Sequence, residues 1–271
     1  MALMVVGCRG ESVREHRGDG RRRIVSLHDV TTEIVVALNA TDRLVGITSP
    51  VYASRSVVRS VAAVQRVASL ESILLAKPTS VVGLGVVQEQ SPDLVTRLRE
   101  EGIQVYLSDP ATFDDVYSMT YAIAELLDAQ ESAENLVAQL RQRVEAASAT
   151  PVRRKRVFVY DCCDPPFTAG GKTVLSRIIG RAGGENIFSD LDADWTHVSW
   201  EEVVARKPDI VLIHSYPHDG QSDVTGKRAM LGRIGTLGQL PSITLPLGAS
   251  LGGLRSAETL EQLRAELEVL P

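Results

Sequence analysis

Short apolar runs alternate with amphipathic stretches along most of the chain. Arg23-Ile24-Val25-Ser26-Leu27 reads as a buried strand, and Thr31-Thr32-Glu33 then opens an amphipathic run from Ile34 to Leu38 that closes near Asn39. Apolar runs at 44–47, 81–84 and 103–107 continue the sheet, with helical spacing at Leu94, Val95 and Leu98 between the last two. Strands separated by helices predict a mainly parallel sheet covered on both faces. From 113 to 127 and from 131 to 147 the pattern changes: strand signals and Gly are missing, and Leu136, Leu140 and Val144 recur every fourth residue. The spacing predicts a long helix over 128–147, about 30 Å at 1.5 Å per residue, enough to join two lobes as a stiff connector. After Pro151 and the basic stretch 153–156 the order begins again. A strand over 157–160, a helix over 174–181, a strand over 210–213, a polar loop and a last helix over 256–267 follow.

One stretch occurs twice. Ser69-Leu70-Glu71-Ser72-Ile73-Leu74-Leu75-Ala76-Lys77-Pro78 returns 130 positions later as Ser199-Trp200-Glu201-Glu202-Val203-Val204-Ala205-Arg206-Lys207-Pro208. Each copy offers a Ser suited to N-capping, a carboxylate in the first turn where helix amides attract negative charge, a Pro stop and a following buried strand. The fold class is therefore α/β, with two Rossmann-like lobes on one long backbone helix. The expected boundaries are a leader over 1–22, an N-terminal lobe over 23–127, the connecting helix over 128–150 and a C-terminal lobe over 151–271.

A length of 271 residues allows two ordinary domains, and 44% hydrophobic residues supply a core for each. The net charge of −5, with Lys and Arg scattered among acids, lacks the basic footprint of a nucleic-acid binder. Val5-Val6-Gly7 before Cys8 looks like the cleavage box of a bacterial lipoprotein signal. Cys8 is thus a candidate lipidation site on the stub of a signal whose start lies upstream. The adjacent Cys162 and Cys163 belong to no zinc or CxxC spacing and are expected to be buried small side chains. No run reaches the roughly 18 apolar residues of a membrane span.

Gly170-Gly171-Lys172-Thr173 resembles the end of a phosphate-binding loop, but the position that loop reserves for its first Gly holds Pro166, which has no amide hydrogen. No Gly-x-Ser-x-Gly elbow precedes a helix, so hydrolysis has no anchor. What does converge is polar chemistry at strand ends: His28 and Asp29 after the first strand, Asp161 after the 157–160 strand, His214 and Tyr216 after the 210–213 strand. In open α/β sheets that edge is where ligands bind.

These features together resemble the substrate-binding proteins of bacterial ABC importers for vitamin B12, ferric siderophores and haem. The residues that carry the resemblance are Arg23–Leu27 with Thr32-Glu33, Ala37-Leu38 and Asp42-Arg43-Leu44-Val45-Gly46. In the second half they are Asp164-Pro165-Pro166-Phe167-Thr168-Ala169-Gly170, Gly183–Phe188, Trp195 and Val198-Ser199-Trp200-Glu201. The second set is similar in particular to the vitamin B12-binding members. The resemblance implies a non-enzymatic, extracytoplasmic receptor, periplasmic or membrane-anchored through Cys8. It would act as a monomer without a cofactor, holding a small-molecule metal chelate in a cleft between the lobes and delivering it to an ABC permease and its ATPase. It also implies permease docking through one acid per lobe, at Glu71 and Glu201. Trp195 matches an aromatic that packs on a corrin, and Arg255 falls at a cleft arginine.

Departures bear on the cargo: Gln65 stands where a partner tryptophan would be, and Asp161 where phenylalanine would be. With only 4% aromatic residues, the cleft favours a smaller, more polar or metal-bearing cargo than a bare macrocycle. The expected ligand-binding set is His28, Asp29, Tyr52, Asp161, Phe167, Trp195, His214, Tyr216 and Arg255, with no catalytic residue. Phe167 and Trp195 would pack on cargo, Arg255 would meet an anionic group, and the His and Asp residues would hydrogen-bond it or reach its metal. The alternatives are a haem or free-metal receptor with His28 or Tyr52 as axial ligand, and an intracellular chelatase-like enzyme.

Overall fold

The computed structural model describes residues 22–148, 154–216 and 220–270. The leader expected over 1–22, Cys8 included, lies outside the described residues except for Arg22, which pairs with Asp128 at 2.9 Å.

The first lobe runs β1 (Ile24–Ser26), α1 (Asp29–Ala37), β2 (Leu44–Ile47), α2 (Arg55–Ser60), α3 (Leu70–Leu75), β3 (Ser80–Leu84), α4 (Val86–Gln90), α5 (Pro92–Glu100), β4 (Gln104–Ser108) and α6 (Phe113–Leu127). After α7 (Gln130–Ala147) the second lobe runs β5 (Lys155–Tyr160), β6 (Phe167–Ala169), α8 (Val174–Arg181), β7 (Gly184–Asn186), β8 (Trp195–His197), α9 (Trp200–Ala205), β9 (Ile210–Ser215), α10 (Gly220–Leu231), β10 (Ser242–Pro246) and α11 (Ser256–Val269). The first sheet has the order β2-β1-β3-β4 and the second β7-β5-β9-β10, each parallel throughout. With β5, β7, β9 and β10 taken as the counterparts of β1 to β4, the two orders are the same, so the repeated stretch belongs to a repeated lobe.

The repeat holds in atomic detail. Ser69 and Ser199 cap α3 and α9 by accepting the amides of Ser72 and Glu202 at 3.3 and 3.1 Å. Both helices end on a Lys in left-handed geometry, Lys77 at φ 48° and Lys207 at φ 47°, just before Pro78 and Pro208, which suppress further helix. An arginine then closes each C-terminus. Arg23 donates to the carbonyls of Ala76 and Lys77 (2.6 and 2.9 Å), and Arg156 donates to those of Arg206 and Lys207 (2.7 and 3.3 Å).

The connector differs from expectation at its start. Asp128 adopts φ 54°, ψ 44° and ends α6, which short polar Asp tolerates, so α7 begins at Gln130 and its 18 residues span about 27 Å. The two helices lie side by side and both bridge the lobes. In α6, Phe113 and Tyr117 join the second lobe's core while Met119, Ile123 and Leu127 join the first; in α7, Ala133 belongs to the first and Val137, Leu140 and Val144 to the second. The loop before α11 is another tie, with Leu251 and Leu254 packed on the first lobe. Among the described residues no helix is long and apolar enough to cross a membrane.

The pattern of apolar positions did not announce the antiparallel ribbon β6–β8, nor α10 where a polar loop was expected. Three-residue strands are too short to show alternation, and α10 lacks an apolar stripe.

Candidate functional site

The C-terminal edges of the two sheets adjoin, and the second-lobe loop after β10 carries the contact. Gly248 sits so close to the first lobe that a Cβ there would collide with the Tyr52 carbonyl and the Arg255 guanidinium. Elsewhere along the seam, Asp194 ahead of β8 feels the charge of Asp109 behind β4, which adds to burial in raising its carboxyl.

On the first-lobe side His28 is the N-cap of α1 rather than a loop residue, its Nδ1 accepting the Val30 amide at 3.2 Å. Burial takes its pKa from 6.5 down to about 4, so the ring stays neutral in the physiological range. A neutral imidazole that accepts at Nδ1 carries its proton on Nε2 and therefore presents a donor, not a metal-binding lone pair. The unfolded chain takes up a proton near 6.5 that the folded one refuses until about 4. Stability is therefore expected to fall as pH drops through that window. His28→Asn, which keeps a capping acceptor, should flatten the slope of urea midpoint against pH between those values.

Asp29 and Arg255 do not stand free in the cleft. Buried Asp29 accepts the Tyr52 amide at 2.5 Å. One turn along α1, Glu33 accepts the Ser54 amide at 3.1 Å and pairs with Arg255 at 3.2 Å, and Arg255 also donates to the Tyr52 carbonyl at 2.5 Å. Arg255, expected to meet an anionic cargo group, places Nε on Glu33 and one Nη on the Tyr52 carbonyl across the lobe interface, pinning the loop that carries Tyr52. Burial raises the carboxyls of both Asp29 and Glu33, and Arg255 offsets it only in part. The sequence signal for Glu33 was its place four residues after Asp29, on one helix face. Tyr52 itself is half-buried, and its hydroxyl has no partner among the described residues.

On the second-lobe side Asp161 and His214 form a buried scaffold rather than a contact surface. Asp161 holds His214 Nδ1 and the Tyr216 hydroxyl at 2.7 Å each, and His214 Nε2 meets Ser250 Oγ at 2.9 Å. Lys227 donates to the His214 carbonyl at 2.6 Å and lies over the Tyr216 ring. Burial alone would push the Asp161 carboxyl up, but His214, Tyr216 and Lys227 together hold it below the usual range. The connectivity Ser250–His214–Asp161 is that of a nucleophilic triad, yet His214 is 0% and Ser250 3% exposed, which bars a substrate carbonyl from the hydroxyl. The arrangement fixes Tyr216 at the cleft edge.

Above it the β6–β8 ribbon carries an aromatic plate. Phe167 and Trp195 stack with ring centroids 6.1 Å apart, His197 flanks Phe167 at 4.9 Å, and Trp195 rests on His214 at 5.6 Å. Both large rings are half-buried, leaving part of each face open. Beside the plate, the expectation of buried small cysteines is overturned. Cys162 is half-buried, Cys163 is exposed, and the two are disulfide-bonded, because the turn after β5 takes Cys163 to φ 76° and brings both side chains together at the surface. Among the described residues no three His, Cys, Asp or Glu side chains form a metal-holding group.

Glu71 and Glu201 occupy the same position in their helices, and both are exposed. The Glu71 carboxyl is held below its usual range by its own amide and by Ser69.

A family model described as "Periplasmic binding protein" matches residues 24–230. The vitamin B12-binding protein of Yersinia pestis is 32% identical over 195 residues, 70% of this chain and 69% of its own. The apo structure of the periplasmic heme-binding protein RhuT from Roseiflexus sp. RS-1 superposes with a TM-score of 0.77 at 26% identity, covering 91% of this chain and 97% of that one. The periplasmic vitamin B12-binding protein BtuF of Vibrio cholerae shares the fold, with a TM-score of 0.75 at 22% identity over 92% of this chain and 97% of that one.

Proposed function

This chain belongs to the periplasmic binding protein family, whose members are extracytoplasmic binding proteins and not enzymes, and from that premise we propose that it captures a metal chelate and delivers it to an ABC permease and its ATPase. The chelatase-like alternative falls with the membership. The chelate class is a ferric siderophore, a corrinoid or a similar metal complex, held between the lobes by a monomer.

The observation that carries this reading is the pairing of a half-open aromatic plate, Phe167 with Trp195, with two histidines, His28 and His214, whose metal-binding lone pairs are already committed. His28 spends Nδ1 on the Val30 amide, and His214 spends both nitrogens on Asp161 and Ser250. A cargo that brings its metal already wrapped needs such a site: rings for its apolar face, and His28 Nε2–H, Tyr52 and Tyr216 for its periphery.

Native mass spectrometry of the protein from its own host is expected to show a co-purifying metal complex. Trp195→Ala should weaken its binding at least tenfold by fluorescence titration, since stacked rings contribute about 0.5–1.5 kcal/mol beyond their buried area. Equal affinity in Trp195→Ala would remove the cleft from the account.

Glu71 and Glu201 suit docking because a duplicated lobe presents the same exposed carboxylate on both sides. Each exposed pair with a permease arginine contributes about 0–1 kcal/mol, weak enough for release. Reversing both charges, Glu71→Arg with Glu201→Arg, is expected to cut uptake at least tenfold while leaving cargo affinity unchanged; undiminished uptake refutes the docking role. Anchoring through acylated Cys8 belongs to the same reading.

A second reading, haem as cargo, is favoured by the Tyr52 hydroxyl, which has no partner among the described residues. It would give a Soret band that Tyr52→Phe shifts and His28→Asn leaves alone.

A further inference from the structure

Where α6, α7 and α8 meet, a cavity of about 700 Å³ opens beside the second lobe's core, sharing no residue with the candidate cleft set. Its size falls in the range of about 300–1,000 Å³ that small-molecule sites occupy. Its walls are the N-terminal part of α6, which packs on the second lobe's core, one face of α7, and α8. Three guanidiniums line it, those of Arg141, Arg177 and Arg181, against the carboxylates of Asp114 and Glu145.

Two of the three arginines lie over aromatic rings. Arg141 lies 4.5 Å over Tyr117 and Arg181 5.4 Å over Phe113. A guanidinium stacked by its face keeps its in-plane N–H donors free for an oxyanion. Those donors are little used: Arg141 meets Asp114 at 3.5 Å, Arg181 meets Glu145 at 3.9 Å and Ser148 at 3.3 Å, and Arg177 has no polar partner among the described residues. A further donor lines the same cavity: the Tyr117 hydroxyl, which reaches solvent there, has no hydrogen-bond partner among the described residues.

We propose that this cavity is a second binding site, for a small polyanion bearing phosphate or carboxylate oxygens. The forks of Arg177 and Arg181 would hold its charge, and the Tyr117 hydroxyl would donate to it. The proposal is independent of the identity of the cleft's cargo.

Calorimetric titration of the full chain with inorganic pyrophosphate, and separately with citrate, tests it against sodium chloride at matched ionic strength. Saturable one-to-one binding is expected for at least one of the two, weakened at least tenfold in Arg177→Gln/Arg181→Gln and unchanged in Arg97→Gln/Arg99→Gln, which removes exposed arginines on α5. If both anions are silent, co-sedimentation with vesicles containing an anionic phospholipid that is lost in the 177/181 variant alone would uphold the cavity and assign the oxyanion to a headgroup. Heats no larger than those of chloride together with no such co-sedimentation overturn the proposal, as does binding that survives the 177/181 variant or falls equally in the α5 variant. Tyr117→Phe, which keeps the ring under Arg141, is expected to weaken binding by a further few-fold without changing the urea midpoint.

Discussion

Arg255→Met is expected to lower the stability of the folded chain by about 3–5 kcal/mol, because it strands the Glu33 carboxylate in the lobe interface. The Glu33 side chain is 6% exposed and that of Arg255 20%, so neither partner recovers much hydration when the other is removed. The Tyr52 carbonyl loses its donor at the same time. At a few degrees per kcal/mol for a chain of this size the melting temperature should fall by on the order of 10 °C. Adding Glu33→Gln should restore part of the loss, since a neutral amide is less costly to bury and can still accept the Ser54 amide. The pH dependence has a definite sign. Burial already raises the Glu33 carboxyl, and without Arg255 it rises further, so the folded state binds a proton more tightly than the unfolded one. The variant should therefore recover stability relative to the parent as pH falls through that raised value. Urea midpoints of the three proteins, measured at neutral and mildly acidic pH, check the prediction. A loss under about 1 kcal/mol would mean that the lobes are held by α6, α7 and the loop before α11 alone.

Asp161→Ala should cost a comparable amount, on the order of 3 kcal/mol, because one carboxylate serves two buried donors. Its removal leaves His214 Nδ1–H and the Tyr216 hydroxyl without an acceptor, beneath a ring plate that admits little water. Tyr216 would lose its fixed place at the cleft edge, so cargo affinity is expected to fall along with stability. The Asp161 carboxyl is held below its ordinary value of 3.8, so the stability it confers is complete above that value and is lost as pH falls further. Asp29 and Glu33, both raised, act in the opposite sense over the acid range. Acid unfolding in the parent should thus steepen only below about pH 4 on account of Asp161, and Asp161→Asn should remove that steepening. An unchanged midpoint in Asp161→Ala would show that water replaces the carboxylate and that the scaffold is not dry.

Much of the architecture was visible in the order of residues because it rests on local chemistry. Ser69 and Ser199 cap helices wherever they stand before an amphipathic run, and Pro78 and Pro208 end those helices without help from the rest of the fold. Two copies of one sentence therefore meant two copies of one lobe, and the sheet orders match. The arginines that close α3 and α9 were visible as Arg23-Ile24-Val25 and Arg156-Val157-Phe158. Nothing in either triplet says that a carbonyl 50 residues away in sequence awaits it.

The site residues divide along the same line. Phe167 and Trp195, read as rings for the cargo, do stack, since their motif places them on one short ribbon. Asp29, Asp161, His214 and Arg255, read from the sequence as ligand-facing, are each engaged by partners within the fold. A carboxylate or an imidazole at the edge of a sheet can point into the cleft or beneath it, and which it does depends on the partners that arrive from distant segments. For Arg255 the partner is Glu33, 222 positions earlier; for His214 it is Asp161 on one side and Ser250 on the other.

By itself the sequence determined the duplicated α/β lobes, the caps that bound their helices, and the class of cargo-binding protein to which they belong. The lobes and caps follow from periodicity and stop signals, and the class from the resemblance that motifs a few residues long carry. Only the tertiary structure decided which charges face a ligand and which are consumed in holding the halves together. Burial and pairing are properties of a place in space, and two residues far apart in the chain acquire them only when the backbone brings them within hydrogen-bonding distance.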